Sequence, residues 1–356
     1  MTNKTTTTDL FGLSQEDLAQ KSRRAASARR AGDSAGGRPV AATPTESASM
    51  LAARLPGNIR LGTSSWSFPG WAGLVYGSRY TQSRLAKDGL AAYAAHPLLR
   101  TVSIDRTFYA PLAEHEFAKY AEQVPADFRF VVKAPMAITS SYVRSETGEF
   151  SESPYFLNVE YAIEEFIAPC SAGLGATTGP LVFQFPPQGR RITANADPFI
   201  NQLYRFLNQL PPGLPYAVEV RDRELLTSRF FKCLTTTATH FCVASHAKMP
   251  SPAAQIQLMT AQMPLGDFIC RWSLHAGFQY ADAKARYSPF NRLVDEDMGS
   301  RSALAVAVAS AARAGYASFV TINNKAEGSA PLSVEKLAEA IADSLTPPAT
   351  EVAAEQ

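Results

Sequence analysis

Eight short apolar segments recur along the chain, separated by longer stretches in which apolar residues have helical spacing. Most of these segments are rich in β-branched or aromatic residues and are bounded by Gly, Pro or Asp, as is typical of buried strands. We therefore predict eight strands, over residues 59–64, 101–105, 128–133, 180–185, 216–220, 240–244, 267–272 and 317–323.

The alternation of strand and helix predicts the fold class. A helix after Pro198, for example, places Phe199, Leu203, Phe206 and Leu210 on one face. Alternating elements favour a parallel sheet with right-handed crossovers, and eight repeats in about 290 residues suit a closed (β/α)8 TIM barrel. An open doubly wound sheet is the alternative, but residues 62–71 (GTSSWSFPGW) lack the glycine pattern of a dinucleotide-binding turn.

The two ends of the chain differ in composition from the central part. Residues 1–55 are rich in Ser, Thr, Ala and Gly, and they carry eight basic and five acidic residues. We predict a disordered basic tail over 1–55, a single barrel domain over 56–345 and a second disordered tail over 346–356. The basic excess belongs to the first tail, so the barrel lacks the bulk positive charge typical of nucleic-acid binders.

Several protein classes are excluded by composition. No apolar stretch approaches the roughly 18 residues of a spanning helix, and no secretory signal is recognisable. The four cysteines form no CxxC pair, which argues against a disulfide scaffold and a zinc ribbon. We expect a cytoplasmic protein without a membrane partner, and the oligomeric state cannot be inferred.

Polar side chains cluster where the predicted strands end, which is the active face of a barrel. Alternation along a strand places Glu219 on the same face as Ala217 and Arg221, with Val218 on the other face. Small neighbours such as Ala217 leave room for a polar pocket. The residues of this pocket are Ser64, Asp105, Thr107, Lys133, Gln184, Glu219, Arg221, Arg271 and Asn323.

These charges allow two interpretations. The cationic and acidic side chains either form a buried ion network that caps the barrel, or they bind a small anionic ligand. Arginine forks match carboxylate or phosphate, and Lys133 adds a point charge. In an acid–base reaction, Glu219 or Asp105 is the expected base and Lys133 the acid or electrostatic stabiliser. A depressed pKa would let Lys133 form a Schiff base instead.

Aromatic residues follow the early strands. Trp66, Phe108 and Tyr109 are expected to stack on a ring of the ligand. The alternative is that they only pack over the mouth of the barrel.

His275 and Asn324 follow the last two strands and complete the predicted ligand-binding set. We predict no cofactor and no resident metal. The alternative is a divalent metal held by Asp105, Glu219 and His275, since carboxylate and imidazole are common metal ligands.

Two connections on the active face are long, over residues 134–154 and 273–300. Long loops at this face often act as lids over a site. Simple insertions are the other interpretation.

Short motifs recur at the predicted strand ends: residues 62–67 (GTSSWS), 70–71 (GW), 104–109 (IDRTFY), 128–135 (FRFVVKAP), 179–187 (GPLVFQFPP), 217–221 (AVEVR), 323–328 (NNKAEG) and 330–331 (AP). In these motifs, and over residues 58–344, the chain resembles the family called domain of unknown function 72 (YecE-like). It implies a TIM barrel and does not imply a reaction, because the family has no established activity. Ser103 and Arg106 depart from the family pattern, which usually has Glu and a small residue there.

The sequence thus leads to three hypotheses. The first is an enzyme that acts on a small phosphorylated or carboxylated metabolite, such as a sugar derivative, at the ends of the strands. The second is a nucleic-acid-binding or repair-like barrel that uses the stacking aromatics, the basic tail and four basic residues, Arg144, Arg221, Arg271 and Lys325. The third is a ligand sensor without catalytic activity.

Overall fold

All eight predicted strands form, and they close into a parallel barrel. A computed structural model describes residues 39–43, 45–144, 150–246, 248–275 and 277–346. Its strands are β1 (Ile59–Thr63), β2 (Leu99–Ile104), β3 (Arg129–Lys133), β4 (Tyr142–Arg144), β5 (Phe150–Glu152), β6 (Thr178–Phe185), β7 (Tyr216–Val220), β8 (His240–Ser245), β9 (Phe268–Trp272) and β10 (Ser318–Ile322). The barrel order is β1-β10-β9-β8-β7-β6-β3-β2. The prediction of a (β/α)8 TIM barrel is confirmed.

Helices connect successive strands around the barrel. They are α1 (Glu46–Ala53), α2 (Gln82–Asp88), α3 (Leu90–Ala94), α4 (Glu114–Ala121), α5 (Met136–Thr139), α6 (Val159–Ala162), α7 (Ala168–Leu174), α8 (Arg190–Thr193), α9 (Asp197–Leu207), α10 (Ser228–Thr236), α11 (Pro252–Gln262), α12 (Tyr280–Tyr287), α13 (Met298–Arg313) and α14 (Ala330–Leu345). A π-helical segment, Ile163–Ile167, joins α6 to α7. None of the helices in the described ranges is long and apolar enough to span a membrane.

The predicted boundary of the N-terminal tail at residue 55 is wrong for the residues that precede β1. Glu46–Ala53 forms helix α1, and the Thr45 hydroxyl caps it by accepting from the amide of Ala48. Ala48 and Leu51 are buried against the barrel, so this segment gains apolar burial despite its polar composition. Residues 1–38 and 347–356 lie outside the described residues.

The lumen of the barrel contains an apolar layer beneath a polar one. Six buried residues fill the lower layer: Val131, Val182, Ala217, Cys242, Ile269 and Phe319. Two residues further along four of these strands lie Lys133, Gln184, Glu219 and Arg271, all buried. Val218, Ile104 and Ile322 belong instead to the main core outside the barrel wall. The alternation of side chains predicted from the sequence is therefore present.

The two long connections contain secondary structure of their own. β4 and β5 pair in antiparallel fashion between β3 and β6, and residues 145–149 lie outside the described residues. α12 lies in the connection after β9. That connection contacts the loop after β1, where a Cβ on Gly70 would lie 1.8 Å from the carbonyl oxygen of Pro289. Only glycine allows this close approach of the two loops.

Candidate functional site

A buried ion network occupies the polar layer at the carboxyl ends of the strands. Arg271 on β9 is its centre, because Nη1 donates to Glu219 Oε2 at 2.9 Å and Nη2 donates to both Asp105 oxygens at 2.8 Å. Arg221 forms an ion pair with the other Glu219 oxygen, Oε1. One carboxylate on β7 therefore binds two guanidinium groups, and Arg271 links it to the loop after β2.

The electrostatics of Glu219 follow from these two partners. Full burial would raise the pKa of its carboxyl, but Arg221 and Arg271 outweigh burial and hold the pKa below its usual range. The side chain is inaccessible to solvent and both of its oxygens face guanidinium groups. Glu219 is thus better placed to position the two arginines than to accept a proton from a ligand.

Two donors in the network are not used. Arg221 Nη1 and Arg271 Nε are buried, and neither has a hydrogen-bond partner among the described residues. A buried donor without a partner is costly, so an acceptor at these positions would stabilise the site. Both groups belong to side chains that match carboxylate or phosphate geometry.

Lys133 lies in the same layer without joining the network. Its side chain is nearly buried, with 7% of the residue exposed, and Nζ lies 3.3 Å from the centroid of the Phe108 ring. No carboxylate among the described residues lies within ion-pair distance of this ammonium. Burial, followed by the charge of Arg271, lowers the pKa of Lys133 to about 7, although Asp105 and Glu219 act in the opposite direction.

Asp105 is the more accessible carboxylate of the site. Its side chain keeps 36% of its accessible surface, in contrast to the fully buried Glu219. Besides Arg271, it binds the Ser103 hydroxyl, which donates to Oδ1 at 2.6 Å. Ser103 therefore orients Asp105, a role that was not predicted from the sequence.

Of the three predicted site residues after β2, two have structural contacts at the ends of the strands. The Thr107 hydroxyl is buried at the carbonyl oxygens of Ile104 (3.0 Å) and Lys133 (2.5 Å), so it joins β2 to β3. Phe108 is buried under Lys133, whereas Tyr109 is 71% exposed at the mouth of the barrel. Tyr109 is thus the one of these three residues with a large accessible surface.

Trp66 does not lie in the pocket. Its indole nitrogen donates to the carbonyl of Leu85 at 3.1 Å, and its ring packs edge-on against Tyr120 at 5.4 Å. The residue is 8% exposed and belongs to the main hydrophobic core. Both its ring and its N–H therefore have protein partners, and stacking of Trp66 on a ligand stays a prediction.

The residues after β10 form a second part of the rim. Asn323 donates to the Ser64 hydroxyl at 2.7 Å and accepts from Lys325 Nζ at 3.2 Å. Lys325 is 4% exposed and its Nζ lies 4.0 Å from the centroid of the Tyr280 ring on α12. The structure therefore links the predicted residues Ser64 and Asn323 to a lysine and an aromatic residue of the long connection.

Asn324 has a structural position. It is 1% exposed, and its Oδ1 accepts from Trp71 Nε1 at 3.1 Å and from the amide of Ala330 at 2.8 Å. These bonds attach the loop after β1 to the start of α14. Its Nδ2 is buried and has no hydrogen-bond partner among the described residues, so the contact of Asn324 with a ligand stays a prediction.

His275 and His246 lie at the ends of neighbouring strands. The amide of His275 donates to the carbonyl of Lys325 at 2.9 Å, and its ring packs edge-on against Phe278. The pKa of His246 is lowered to about 4 by burial and then by the charge of Arg221, so its imidazole is neutral near that guanidinium. His246 was not predicted as a site residue, although its place after the sixth barrel strand was a usable signal.

The metal alternative has no support from the side chains. Within the described ranges, no three His, Cys, Asp or Glu residues come together as potential ligands. Asp105 and Glu219 instead direct oxygens at Arg271. Two surface cavities of about 620 and 600 Å³ lie elsewhere, the first between α11 and α13 and the second between α9 and α10.

Comparison with known proteins identifies the family. The family model described as "Protein of unknown function DUF72" matches residues 60–355. A DUF72 family protein from Enterococcus faecalis V583 is similar with a TM-score of 0.54 and 19% identity, over 82% of this chain and 98% of that chain. A DUF72 family protein from Thermotoga maritima MSB8 is similar with a TM-score of 0.54 and 20% identity, over 79% of this chain and 98% of that chain.

No curated protein matches the chain. The low identities to the two solved structures mean that these likenesses support the fold alone. The match of the family model extends over most of the chain and includes every strand of the barrel except the first residue of β1. This chain is therefore a member of the DUF72 family, whose description assigns no function.

Proposed function

We propose that this protein is an enzyme that binds a small anionic metabolite at the carboxyl ends of the barrel strands. The phosphate or carboxylate of the metabolite binds the unused donors of Arg221 and Arg271. Lys133 then transfers a proton to or from the reacting group of the metabolite. The proposal rests on one observation above all, which is that Lys133 is nearly buried beside two arginines without a carboxylate partner.

The charge balance of the site favours an anion. The carboxylates of Asp105 and Glu219 are matched by Arg221 and Arg271, so a protonated Lys133 leaves one positive charge in excess. An uncompensated buried charge costs several kcal/mol, to order of magnitude. Without an anion, Lys133 avoids this cost by losing its proton near pH 7. With an anion bound, the ammonium is compensated, so binding and protonation favour each other.

The residues divide into distinct roles. Glu219 positions the two arginines, and Asp105, which is partly exposed, is the carboxylate that a ligand can reach. Lys133 has a pKa near neutrality, where a group both gives and takes protons efficiently. The Asn323–Lys325 rim and Tyr109 lie where the distal part of a metabolite would bind.

The nucleic-acid alternative has little support from the same residues. Arg221, Arg271 and Lys325 are 8%, 4% and 4% exposed, so little of their surface is available to a phosphate backbone. Deep, paired arginines suit a small ligand better than a polymer. The sensor alternative uses the same site, and turnover of any ligand that binds would exclude it.

A thermal-shift screen tests the proposal. Wild type, Lys133→Ala, Glu219→Gln and the control Lys119→Ala, at an exposed lysine on α4, are each melted with sulfate, phosphate, lactate and sugar phosphates. A ligand at 100 times its Kd adds about 2.7 kcal/mol, which shifts the Tm by several degrees. We expect shifts in wild type and the control that are lost in both site variants. Equal shifts in all four proteins would refute the proposed site.

A further inference from the structure

We propose that Lys133 is a nucleophile that forms an imine with the aldehyde or ketone group of an anionic substrate. The inference rests on the proposed anion site, because the two arginines would hold the anionic group while the carbonyl carbon meets Nζ. The substrate class is thus a small carbonyl compound that also carries a carboxylate or a phosphate.

Among the described residues, Lys133 lacks the carboxylate partner that a structural lysine is expected to have. A structural lysine in a barrel lumen is expected to bind a carboxylate, and two carboxylates are present in this layer. Arg271 binds both of them, and Nζ is left against the face of the Phe108 ring at 3.3 Å. The backbone of Lys133 is fixed as well, since its carbonyl accepts from the Thr107 hydroxyl. The amine is therefore positioned, largely shielded from water and free of an acidic partner.

Lys325 provides a comparison within the same molecule. It is equally buried, with 4% exposed, but its Nζ donates to Asn323 Oδ1 at 3.2 Å and lies 4.0 Å from the Tyr280 ring centroid. Lys325 Nζ therefore has a hydrogen-bond acceptor, in contrast to Nζ of Lys133. Burial alone does not distinguish the two lysines, whereas their hydrogen-bond partners do.

The charged groups that face Lys133 set its protonation. Arg271 on β9 and Arg221 after β7 disfavour the ammonium, and Asp105 after β2 and Glu219 on β7 favour it, while burial is the largest influence. Together they lower the pKa to about 7, so about half of the amine is neutral at pH 7, against about one part in three thousand for an ordinary lysine at 10.5. A lysine that is desolvated or adjacent to a cation is activated in this way.

The reaction balances without another reactant. A bound anion favours the ammonium, so Nζ first gives one proton to Asp105. The lone pair of the neutral amine then attacks the carbonyl carbon, a C–N bond forms and the carbonyl oxygen takes up that proton. Nζ then passes one of its two protons to the resulting hydroxyl group, which leaves as water, and a protonated C=N bond remains. Asp105 is the accessible carboxylate that exchanges these protons. The imine then withdraws electrons from the neighbouring carbon, as a protonated carbonyl would.

Reductive trapping tests the inference on the full chain. Wild-type protein is incubated with sodium cyanoborohydride and with glyoxylate, pyruvate or dihydroxyacetone phosphate, and the modified lysine is located by peptide mass spectrometry. Lactate, which has the carboxylate but no carbonyl group, is the matched control for pyruvate. Lys133→Arg keeps the positive charge and removes the nucleophile, and a circular dichroism melt confirms that this variant is folded.

We expect selective modification at Lys133, at least tenfold above Lys325, with one or more of the three carbonyl compounds. Glyoxylate and pyruvate carry a carboxylate, and dihydroxyacetone phosphate carries a phosphate. The compound that modifies Lys133 therefore shows which anionic group the site binds. Because Lys325 is mapped in the same wild-type sample, the comparison holds even if Lys133→Arg does not fold. Modification that is absent, or spread evenly over exposed lysines, would overturn the inference.

The trapping experiment and the thermal-shift screen together distinguish this inference from the proposed function. If lactate or phosphate stabilises the protein but no carbonyl compound is trapped, the imine is refuted and the anion site stands. If Lys133 is trapped but no anion stabilises the protein, the imine stands and the arginine site is refuted. If neither occurs, both proposals are wrong.

Discussion

Replacing Lys133 with methionine should stabilise the folded protein, and the gain should depend on pH. Methionine has a similar length, is apolar and packs well on the Phe108 ring. The pKa of Lys133 falls from 10.5 to about 7 on folding, which corresponds to at most about 5 kcal/mol of destabilisation by the buried ammonium. We expect Lys133→Met to gain about 2–5 kcal/mol at pH 7.

The sign follows from proton binding. Between pH 7 and pH 10.5 the unfolded chain holds a proton on Lys133 that the folded chain has released. The free energy of unfolding of wild type therefore rises with pH in this interval relative to the variant. The destabilisation is fully present below pH 7 and disappears by about pH 10.5, so the gain of the variant should shrink to near zero over that range.

Urea unfolding followed by tryptophan fluorescence measures this difference at several pH values. The difference between wild type and Lys133→Met removes contributions from other groups that titrate in the same interval. Lys119→Met, at an exposed position on α4, is the control and should show no pH-dependent difference. A variant that is less stable than wild type by the same amount at every pH would refute the assignment of an unpartnered buried lysine.

Three further changes test other parts of the account. Glu219→Gln leaves two arginines without their shared carboxylate and should cost about 3–5 kcal/mol in urea unfolding; a loss below about 1 kcal/mol would show that the ion network is unimportant. Phe108→Leu keeps the apolar cover of Lys133 but removes the aromatic ring, so the pKa of Lys133 should fall further. The pH profile of acylation of the Lys133 amine measures this shift, and an unchanged profile would contradict the cation–π contact. Gly70→Ala should destabilise by about 1–3 kcal/mol, because its Cβ would meet a carbonyl oxygen at 1.8 Å, whereas a Cβ at Gly57 meets nothing within 4 Å; equal Tm values for Gly70→Ala and Gly57→Ala would refute the close contact.

The strands and the inward face of the barrel could be predicted from the sequence, because both depend on local patterns. An apolar run bounded by turn residues marks a strand, and alternation assigns Ala217 and Glu219 to the lumen and Val218 to the outer core. The same argument brings Lys133, Glu219 and Arg271 into one layer. These relations need no knowledge of distances between strands.

Partner choice within that layer could not be predicted, because it depends on three-dimensional distance. The sequence does not determine that Arg271 binds both carboxylates and leaves Lys133 on an aromatic ring. Trp66 and Asn324 show a related limit. Their motifs lie beside the active face, but both side chains are directed into structural contacts. The charge-rich composition before residue 55 likewise concealed the two apolar anchors of α1, Ala48 and Leu51.

The most direct test of the central claim is the affinity of wild type for sulfate and lactate about one pH unit below and above 7, measured by isothermal titration calorimetry. Neither anion titrates in this interval, so a change in affinity reports the protein. The account predicts tighter binding at the lower pH, where Lys133 is protonated, and loss of that pH dependence in Lys133→Ala. Affinities that are equal at the two pH values, or unchanged in Lys133→Ala, would contradict an anion site built around this lysine.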